Sequence, residues 1–282
     1  MRIELHCHST ASDGTEPADR VASRAAESHV ELFALTDHDA CTHVAFSSGR
    51  VVRAVELSCD HEGRTIHVLA YDRGAPGWAE LEARLGALAE ARRNRLRVMA
   101  ARLAQRGIRV DVEPLLARSE GRSVGRPDLA RLMVAAGAAT SLKDAFARHL
   151  YDGGPVDVPH HALALPDALA LGRTAGAAMS LAHPHLYDHL GVALLRRHRG
   201  DGLAGVEAYY GAYDPRERAR WIELADELGL VCTGGSDWHG PSGDASASAS
   251  ASASPSSALA SPQLGVDLPA SRAAQLVDWL AR

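Results

Sequence analysis

The chain has 282 residues, a hydrophobic content of 46% and a formal net charge of −5 at pH 7. This length allows one large α/β domain or a barrel with a smaller insert, and the apolar content suffices for a sizeable core. The negative charge argues against broad electrostatic binding to nucleic acid or to an anionic membrane, although it leaves room for a local basic pocket.

The cysteine and hydropathy patterns predict the cellular location of the protein. Its four cysteines form no CxxC pair, and their spacing shows no disulfide framework. The first residues do not read as a secretory signal, and no apolar run reaches about 18 residues. We therefore expect a soluble, cytoplasmic protein that does not associate with membranes.

Short apolar runs alternate with helical patterns in the first part of the chain. A helix is predicted over Glu16–Ser28, with Thr15 as its N-terminal cap. The runs that predict strands are Ile3–Cys7, Leu32–Thr36, Val51–Leu57 and Ile66–Tyr71.

The middle of the chain is predicted to be helical throughout. A long pattern rich in Ala, Leu and Arg covers Trp78–Arg106 and ends at Gly107, a plausible C-terminal cap. Shorter helices are predicted at Pro127–Ala136 and Leu142–Leu150. We interpret residues 74–160 as a helical insert between two halves of an α/β domain.

Strand and helix then alternate again. The predicted strands are Ala177–Ala182, Ala204–Tyr209 and Leu230–Thr233, and the predicted helices are one ending near Arg199, Pro215–Leu228 and Pro269–Ala281. Residues 244–261 are mostly alternating Ala and Ser, which predicts a low-complexity loop. Repeated βα units predict a mainly parallel sheet formed by residues 1–73 and 161–282.

Polar side chains follow most of the predicted strands at the point where each strand ends. They are His6, His8, the run Asp37-His38-Asp39, Glu56, His183, Asp237 and His239, while His67 lies within a strand. The active sites of α/β barrels collect at this carboxyl-terminal edge. We therefore expect these side chains to lie close together.

Taken singly, several of these residues have ordinary explanations. His6 and His8 share one face of a strand, yet two surface histidines would have the same spacing. Asp13 is typical of a turn, and His67 of a hydrogen-bonded core histidine. Glu56 lies in an apolar strand, where a carboxylate is costly unless it is paired or binds metal, or else faces solvent.

Together these residues predict a metal site, because so many strand ends carry a potential ligand. Histidine and carboxylate ligands suit Zn²⁺, Mn²⁺ or Fe²⁺. Sites with several such ions commonly serve phosphoryl transfer, in which the ions activate water and clamp phosphate oxygens. We therefore predict a metal-dependent phosphoesterase that holds two or three divalent ions.

The combined motifs resemble those of the PHP family (polymerase and histidinol phosphatase) from residue 1 to about residue 240. They are His6-x-His8, Ser12-Asp13-Gly14, Thr36-Asp37-His38-Asp39, Val55-Glu56-Leu57-Ser58, His67, Ala182-His183-Pro184 and Ser236-Asp237-x-His239. The stretch Gly125–Arg131 further resembles the subgroup that acts on nucleoside 3′,5′-bisphosphates and 5′-phosphorylated oligoribonucleotides.

This resemblance implies a distorted (β/α)7 TIM-like barrel with a helical insert that contributes to the substrate pocket. It also implies three ion positions, held by His6, His8, Glu56 and Asp237, by Glu56, His67 and His183, and by Asp13, His38 and His239. Arg126 is expected to bind substrate phosphate, with His185 as a further substrate contact. Asp39 is a candidate proton donor, although metal-bound water could serve equally.

The implied reaction is hydrolysis of a phosphate ester by a metal-activated hydroxide. The expected substrate is a nucleoside 3′,5′-bisphosphate or a short 5′-phosphorylated RNA. Two alternatives stay open, namely a phosphomonoesterase acting on another small metabolite such as histidinol phosphate, and a weakly active metal-binding PHP domain. Three departures from the family pattern are the short segment between Asp39 and Val51, Asp128 in place of a histidine, and the Ala/Ser insertion after Gly240.

Overall fold

In a computed structural model of the chain, the described residues form ten strands, nine α-helices and two short 3-10 helices. These residues are 1–119, 122–158, 162–241 and 263–282. The predicted Ala/Ser loop at 244–261 lies outside them. Two compact units are present, one formed by Met1–Ala83 with Leu163–Arg282 and the other by Arg84–Ala162.

All of the strands belong to the first unit. They are β1 (Arg2–Glu4), β2 (Leu32–Phe33), β3 (Arg50–Val51), β4 (Ala54–His61), β5 (Arg64–Tyr71), β6 (Leu163–Ala164), β7 (Ala178–Leu181), β8 (Leu203–Tyr210), β9 (Val231–Gly235) and β10 (Val266–Asp267).

The α-helices are distributed over both units. They are α1 (Ala18–Glu27), α2 (Trp78–Gln105), α3 (Glu113–Ala117), α4 (Arg126–Ala135), α5 (Leu142–Arg148), α6 (Leu165–Thr174), α7 (His189–His198), α8 (Pro215–Leu228) and α9 (Ala270–Trp279). Short 3-10 helices cover Pro184–Tyr187 and Arg199–Asp201. None of the helices in the described ranges has both the length and the apolar character needed to cross a membrane.

The strands pair in two sheets. One has the order β10-β1-β2-β3 and the other the order β6-β4-β5-β7-β8-β9. Five pairs are parallel, whereas β1–β10, β4–β5 and β5–β7 are antiparallel. The predicted α/β architecture with parallel strands is therefore confirmed, with an antiparallel segment that the sequence patterns did not indicate.

One of the antiparallel pairs is a hairpin between β4 and β5. Glu62 and Gly63 form its turn with positive φ angles of 53° and 81°, a conformation typical of two-residue hairpins. The hairpin pairs Ser58 with His67. Because β5 runs opposite to its neighbours, His67 in the middle of β5 lies level with Ala182, just beyond the carboxyl end of β7.

Backbone hydrogen bonds continue beyond the formal strand ends and link the two sheets. The amide of Leu5 donates to the carbonyl of Gly234 over 3.2 Å, and the amide of His8 donates to the carbonyl of Trp238 over 2.8 Å. On the opposite side, His38 forms an isolated parallel bridge with Glu56. The chain segments that follow β1 and β2 are thereby fixed against β9 and β4.

Helix α8 shows how local sequence sets the element ends. The Asp214 carboxylate accepts hydrogen bonds from the amides of Arg216 and Glu217, and Gly229 ends the helix with a φ of 67°. Helix α1 begins differently from the prediction. Pro17 precedes its first residue, whereas the hydroxyl of Thr15 donates to the carbonyl of His239 over 3.1 Å. Thr15 therefore does not cap α1.

The second unit is helical, with its own apolar core. Buried side chains from α2, α4 and the segments between them form this core, including Leu96, Met99, Leu129 and Met133. Asp128 lies in the first turn of α4, where its carboxylate accepts hydrogen bonds from the amide of Gly125 and from the guanidinium of Arg122. Asp128 thus fixes the start of a helix.

Candidate metal centre

The extended chain after β1 carries two histidines toward one point. His6 and His8 are both fully buried. Nε2 of His6 lies 3.3 Å from Oε2 of Glu56 and 3.3 Å from Oδ1 of Asp237, and Nε2 of His8 lies 3.2 Å from the same two oxygens. The i, i+2 spacing therefore places both rings on one face, as the alternation of an extended segment requires.

A second group of side chains gathers at the other oxygen of Glu56. Nδ1 of His67 lies 3.1 Å and Nε2 of His183 lies 3.0 Å from Oε1 of this carboxylate. The two nitrogens are 3.1 Å apart. The antiparallel direction of β5 is what allows His67 to face His183, which follows β7.

The third group includes residues from three separate loops. Nε2 of His239 lies 3.3 Å from Oδ1 of Asp13, and Nε2 of His38 lies 3.7 Å from Oδ2 of the same carboxylate. Nδ1 of His38 lies 3.1 Å from Oε2 of Glu56. His38 therefore stands between the Asp13 group and the Glu56 carboxylate.

The nine predicted ligands occur in four overlapping sets whose donor atoms lie within 4.8 Å of one another. The sets are His8, Asp13, His38 and His239; His6, Glu56 and His183; His6, His8 and Asp237; and His38, Glu56 and His67. Four buried atoms in these sets have no hydrogen-bond partner among the described residues, namely Nε2 of His6, Nε2 of His8, Nδ1 of His38 and Oε2 of Glu56. Buried polar atoms are rarely left unpaired, so this donor set fits divalent cations.

Electrostatics within the cluster follow from placing carboxylates among buried imidazoles. Burial favours the neutral form of Glu56, but the adjacent histidines, His38 first, hold the pKa of this carboxyl well below its usual range. Burial likewise opposes a charge on His8, yet Asp237 and Glu56 raise its pKa to about 10. By contrast, burial lowers the pKa of His38 to about 4 despite the nearby carboxylates. The oxygens are thus anionic and ready to bind cations.

Known proteins resemble this chain over most of its length, although no protein-family model matches it. It is 31% identical over 253 residues to the 3′,5′-nucleoside bisphosphate phosphatase of Chromobacterium violaceum, covering 85% of this chain and 87% of that protein. It is 30% identical over 256 residues to the 5′-3′ exoribonuclease Rnm of Escherichia coli, covering 84% and 85%. It is 33% identical over 264 residues to the phosphoribosyl 1,2-cyclic phosphate 1,2-diphosphodiesterase of Eggerthella lenta, covering 86% and 96%.

Solved structures resemble the fold as well. One is a protein of Bifidobacterium adolescentis assigned as a metal-dependent phosphoesterase, with a TM-score of 0.68 and 26% identity over 84% of this chain and 87% of that one. Another is an amidohydrolase of Chromobacterium violaceum with bound sulfate, with a TM-score of 0.72 and 28% identity over 96% and 93%.

The chain belongs to the PHP family. It is accordingly a metal-dependent phosphoesterase and a hydrolase, as the strand-end motifs predict. Its PHP relatives act on different phosphate esters, so the family alone does not define its substrate.

The short segment after Asp39 was a departure from the PHP pattern. Among the described residues it contains no helix between β2 and β3, as its length suggests. His38 is nevertheless firmly held, because the Asp39 amide donates to the Glu56 carbonyl over 2.9 Å and the Glu56 amide donates to the Asp37 carbonyl over 3.3 Å. The Asp37 carboxylate also accepts hydrogen bonds from Ser9, Ser12 and Thr42.

Three predicted residues of the PHP site lie outside the four sets. Oδ1 of Asp39 accepts a hydrogen bond from the Ser58 amide over 2.8 Å. Nδ1 of His185 lies 2.9 Å from the hydroxyl of Tyr213. Arg126 belongs to the helical unit, where its guanidinium donates to the Leu150 carbonyl and to the carboxylate of Asp152. The roles of Asp39, His185 and Arg126 stay predictions.

Two buried glutamates next to the PHP ligands were missed in the sequence. The Glu207 carboxylate in β8 lies 2.9 Å from Nδ1 of His6. The Glu4 carboxylate in β1 accepts hydrogen bonds from the amides of His6 and Ser236. Both glutamates lie among apolar strand residues, which is the signal that singled out Glu56.

Proposed function

We propose that this PHP protein releases phosphate from nucleoside 3′,5′-bisphosphates, and that it also acts on short 5′-phosphorylated RNA. The observation that carries the proposal is the convergence of nine histidine and carboxylate side chains on one buried centre. Two relatives that align over most of their length are named as a 3′,5′-nucleoside bisphosphate phosphatase and a 5′-3′ exoribonuclease, which supports this choice within the family.

The distances support three ion positions, two of which share Glu56. His6, His8 and Asp237 would hold the first ion together with Oε2 of Glu56, and His67 and His183 would hold the second together with Oε1. The remaining residues, Asp13, His38 and His239, would hold the third. Mn²⁺, Zn²⁺ and Fe²⁺ all suit this mixture of nitrogen and oxygen donors. Bound divalent ions would supply an activated water and neutralise charge on the phosphate oxygens.

The protein itself positions the metal ligands and supplies one candidate proton donor. Asp39 directly follows His38 in the chain, and Oδ1 of its carboxyl group accepts a hydrogen bond from the Ser58 amide over 2.8 Å. We propose that Asp39 donates a proton to the leaving oxygen. The hydrogen bonds that join β1 to β9 and His38 to Glu56 support closure of the two sheets as a distorted (β/α)7 barrel around this centre.

A substrate panel tests the proposal. Protein stripped with a chelator and reloaded with Mn²⁺, Zn²⁺ or Fe²⁺ is assayed for phosphate release from adenosine 3′,5′-bisphosphate and for cleavage of a 5′-phosphorylated RNA trinucleotide. Histidinol phosphate and phosphoribosyl 1,2-cyclic phosphate complete the panel. We expect the highest kcat/KM with the bisphosphate, and no turnover in the stripped protein.

Two outcomes would contradict the proposal. Absence of turnover with each of the three ions would leave a metal-binding domain without the proposed activity. A kcat/KM for the cyclic phosphate above that for the bisphosphate would favour a second candidate function, hydrolysis of a cyclic phosphodiester, which the 33% identity to the Eggerthella lenta phosphodiesterase supports.

A further inference from the structure

Glu207 contacts two proposed ligands without belonging to any of the ligand sets. It lies near the middle of β8 and is fully buried. Its Oε1 and Oε2 lie 2.9 and 3.0 Å from Nδ1 of His6. Its Oε2 also accepts a hydrogen bond from the backbone amide of His183 over 2.7 Å. One carboxylate thus joins the segments that follow β1 and β7.

The contact with His6 determines which ring nitrogen faces the centre. A carboxylate accepts and does not donate, so Nδ1 of His6 must carry the hydrogen in this bond. Nε2 then points away from Glu207, and it lies 3.3 Å from both Glu56 Oε2 and Asp237 Oδ1. Carboxylates that bind the second nitrogen of a ligand histidine fix its tautomer and ring orientation in this way.

The contact with His183 stabilises an unusual backbone conformation. His183 has φ 28° and ψ 58°, in the left-handed region that residues other than glycine seldom adopt. Such a conformation persists only where surrounding contacts hold it. The amide of His183 is tied to Glu207, and its Nε2 lies 3.0 Å from Oε1 of Glu56 on the opposite side.

We infer that Glu207 is a positioning residue of the metal centre, which orients the imidazole of His6 and the backbone of His183 so that both can bind ions. The inference rests on the proposed metal site, but it concerns a residue that bears no ion itself. It also links two ion positions, because His6 and His183 belong to different proposed coordination spheres.

The test measures Zn²⁺ affinity by competition with a chromophoric chelator, using Glu207→Gln in the full chain. We expect the affinity to fall on the order of 10- to 100-fold, the usual effect of removing such a partner. Ser180→Ala is the matched control, since it removes a buried hydrogen bond of 2.7 Å to Thr233 in the same sheet without contacting a histidine. This control should lower the melting temperature of the metal-free protein and leave the Zn²⁺ affinity unchanged.

A double-mutant cycle separates positioning from general damage. In a His6→Ala background, we expect the loss of Zn²⁺ affinity caused by Glu207→Gln to be at most half of its wild-type size on a logarithmic scale. In a His239→Ala background, we expect this loss to be the same as in the wild type. Should Glu207→Gln not fold, Glu207→Asp shortens the side chain with the charge kept, and the same weakening is expected.

Three results would overturn the inference. One is an unchanged Zn²⁺ affinity in Glu207→Gln. Another is an equal loss in the His6→Ala and His239→Ala backgrounds. The third is a wild-type protein that binds no divalent ion, which would overturn the proposed metal site as well, whereas the first two results overturn the role of Glu207 alone.

Discussion

Oε2 of Glu56 lies 3.2 Å from Nε2 of His8, although Glu56 belongs to β4 of one sheet and His8 follows β1 of the other. Each oxygen of this carboxylate faces a different group of histidines. Glu56 is therefore the residue on which two of the proposed ion positions depend.

Replacing Glu56 by Gln should remove both the charge and one of the two anionic oxygens. We expect the variant to bind at least one ion fewer per chain and its kcat/KM to fall more than about 100-fold. The reason is that loss of a direct metal ligand should weaken metal binding at least as much as loss of a residue that hydrogen-bonds to a ligand. Metal analysis and phosphate release measure these effects. Asp60→Asn, an exposed position of the same strand, should behave as wild type. Full metal content in Glu56→Gln would contradict a bridging role.

The number of ions can be tested at His239, which belongs to only one ligand set. His239→Ala should reduce the metal content by one ion per chain and leave the other positions filled, because the Glu56 groups do not contain this residue. Elemental analysis after dialysis gives the count, with the exposed His189→Ala as control. An unchanged count would argue for two ions instead of three.

Metal binding should release protons at neutral pH. Burial lowers the pKa of His8, but Asp237 and Glu56 raise it to about 10. At His6, burial also lowers the pKa, but Glu207 and Glu56 outweigh this effect and raise the pKa well above its usual value. Both imidazoles are therefore protonated near pH 7 in the metal-free protein, and each must lose a proton when an ion binds.

Calorimetric titration with Zn²⁺ in buffers of different ionisation enthalpy measures this release. We expect between one and two protons per chain at pH 7 and an apparent affinity that increases with pH. A binding enthalpy independent of the buffer would show that the two histidines are already neutral.

The role of Asp39 can be tested through the leaving group. Asp39→Asn retains an oxygen that can accept the hydrogen bond from Ser58, so the backbone of β4 should be preserved. If Asp39 protonates the leaving oxygen, turnover of a nucleoside bisphosphate should fall about 10²–10⁴-fold. Turnover of p-nitrophenyl phosphate should fall by less than about tenfold, because its leaving group needs no proton. Equal losses on both substrates would exclude this role.

Several strand ends could be predicted from sequence because polar runs such as Asp37-His38-Asp39 interrupt apolar segments abruptly. The predicted strand Val51–Leu57 was wrong, because this segment is divided between β3 and β4 of different sheets and Glu56 is the third residue of β4. The position of His67 was harder to explain. It lies in the middle of β5, and it faces the site because the hairpin at Glu62 and Gly63 reverses the chain and brings His67 level with the end of β7. The sequence patterns did not identify the turn at Glu62 and Gly63, and the direction of a strand depends on its pairing partner.

Glu207 and Glu4 show a second limit of prediction from sequence. Each is a carboxylate in an apolar strand, as Glu56 is, yet neither belongs to one of the motifs that resemble the PHP family. Periodicity identifies such a residue as buried or exposed, but its partner comes from a distant strand. Glu207 and His6 are 201 positions apart along the chain. Contacts of that kind require the three-dimensional arrangement.

Three residues at the centre have a left-handed backbone conformation, which residues with a side chain seldom adopt. Asp39, His183 and Asp237 have φ angles of 51°, 28° and 53°. Such conformations cost on the order of 1–3 kcal/mol each, and glycine would relieve most of that cost. Selection for heat resistance alone should therefore recover glycine at these positions and produce a protein with a higher melting temperature and no phosphoesterase activity.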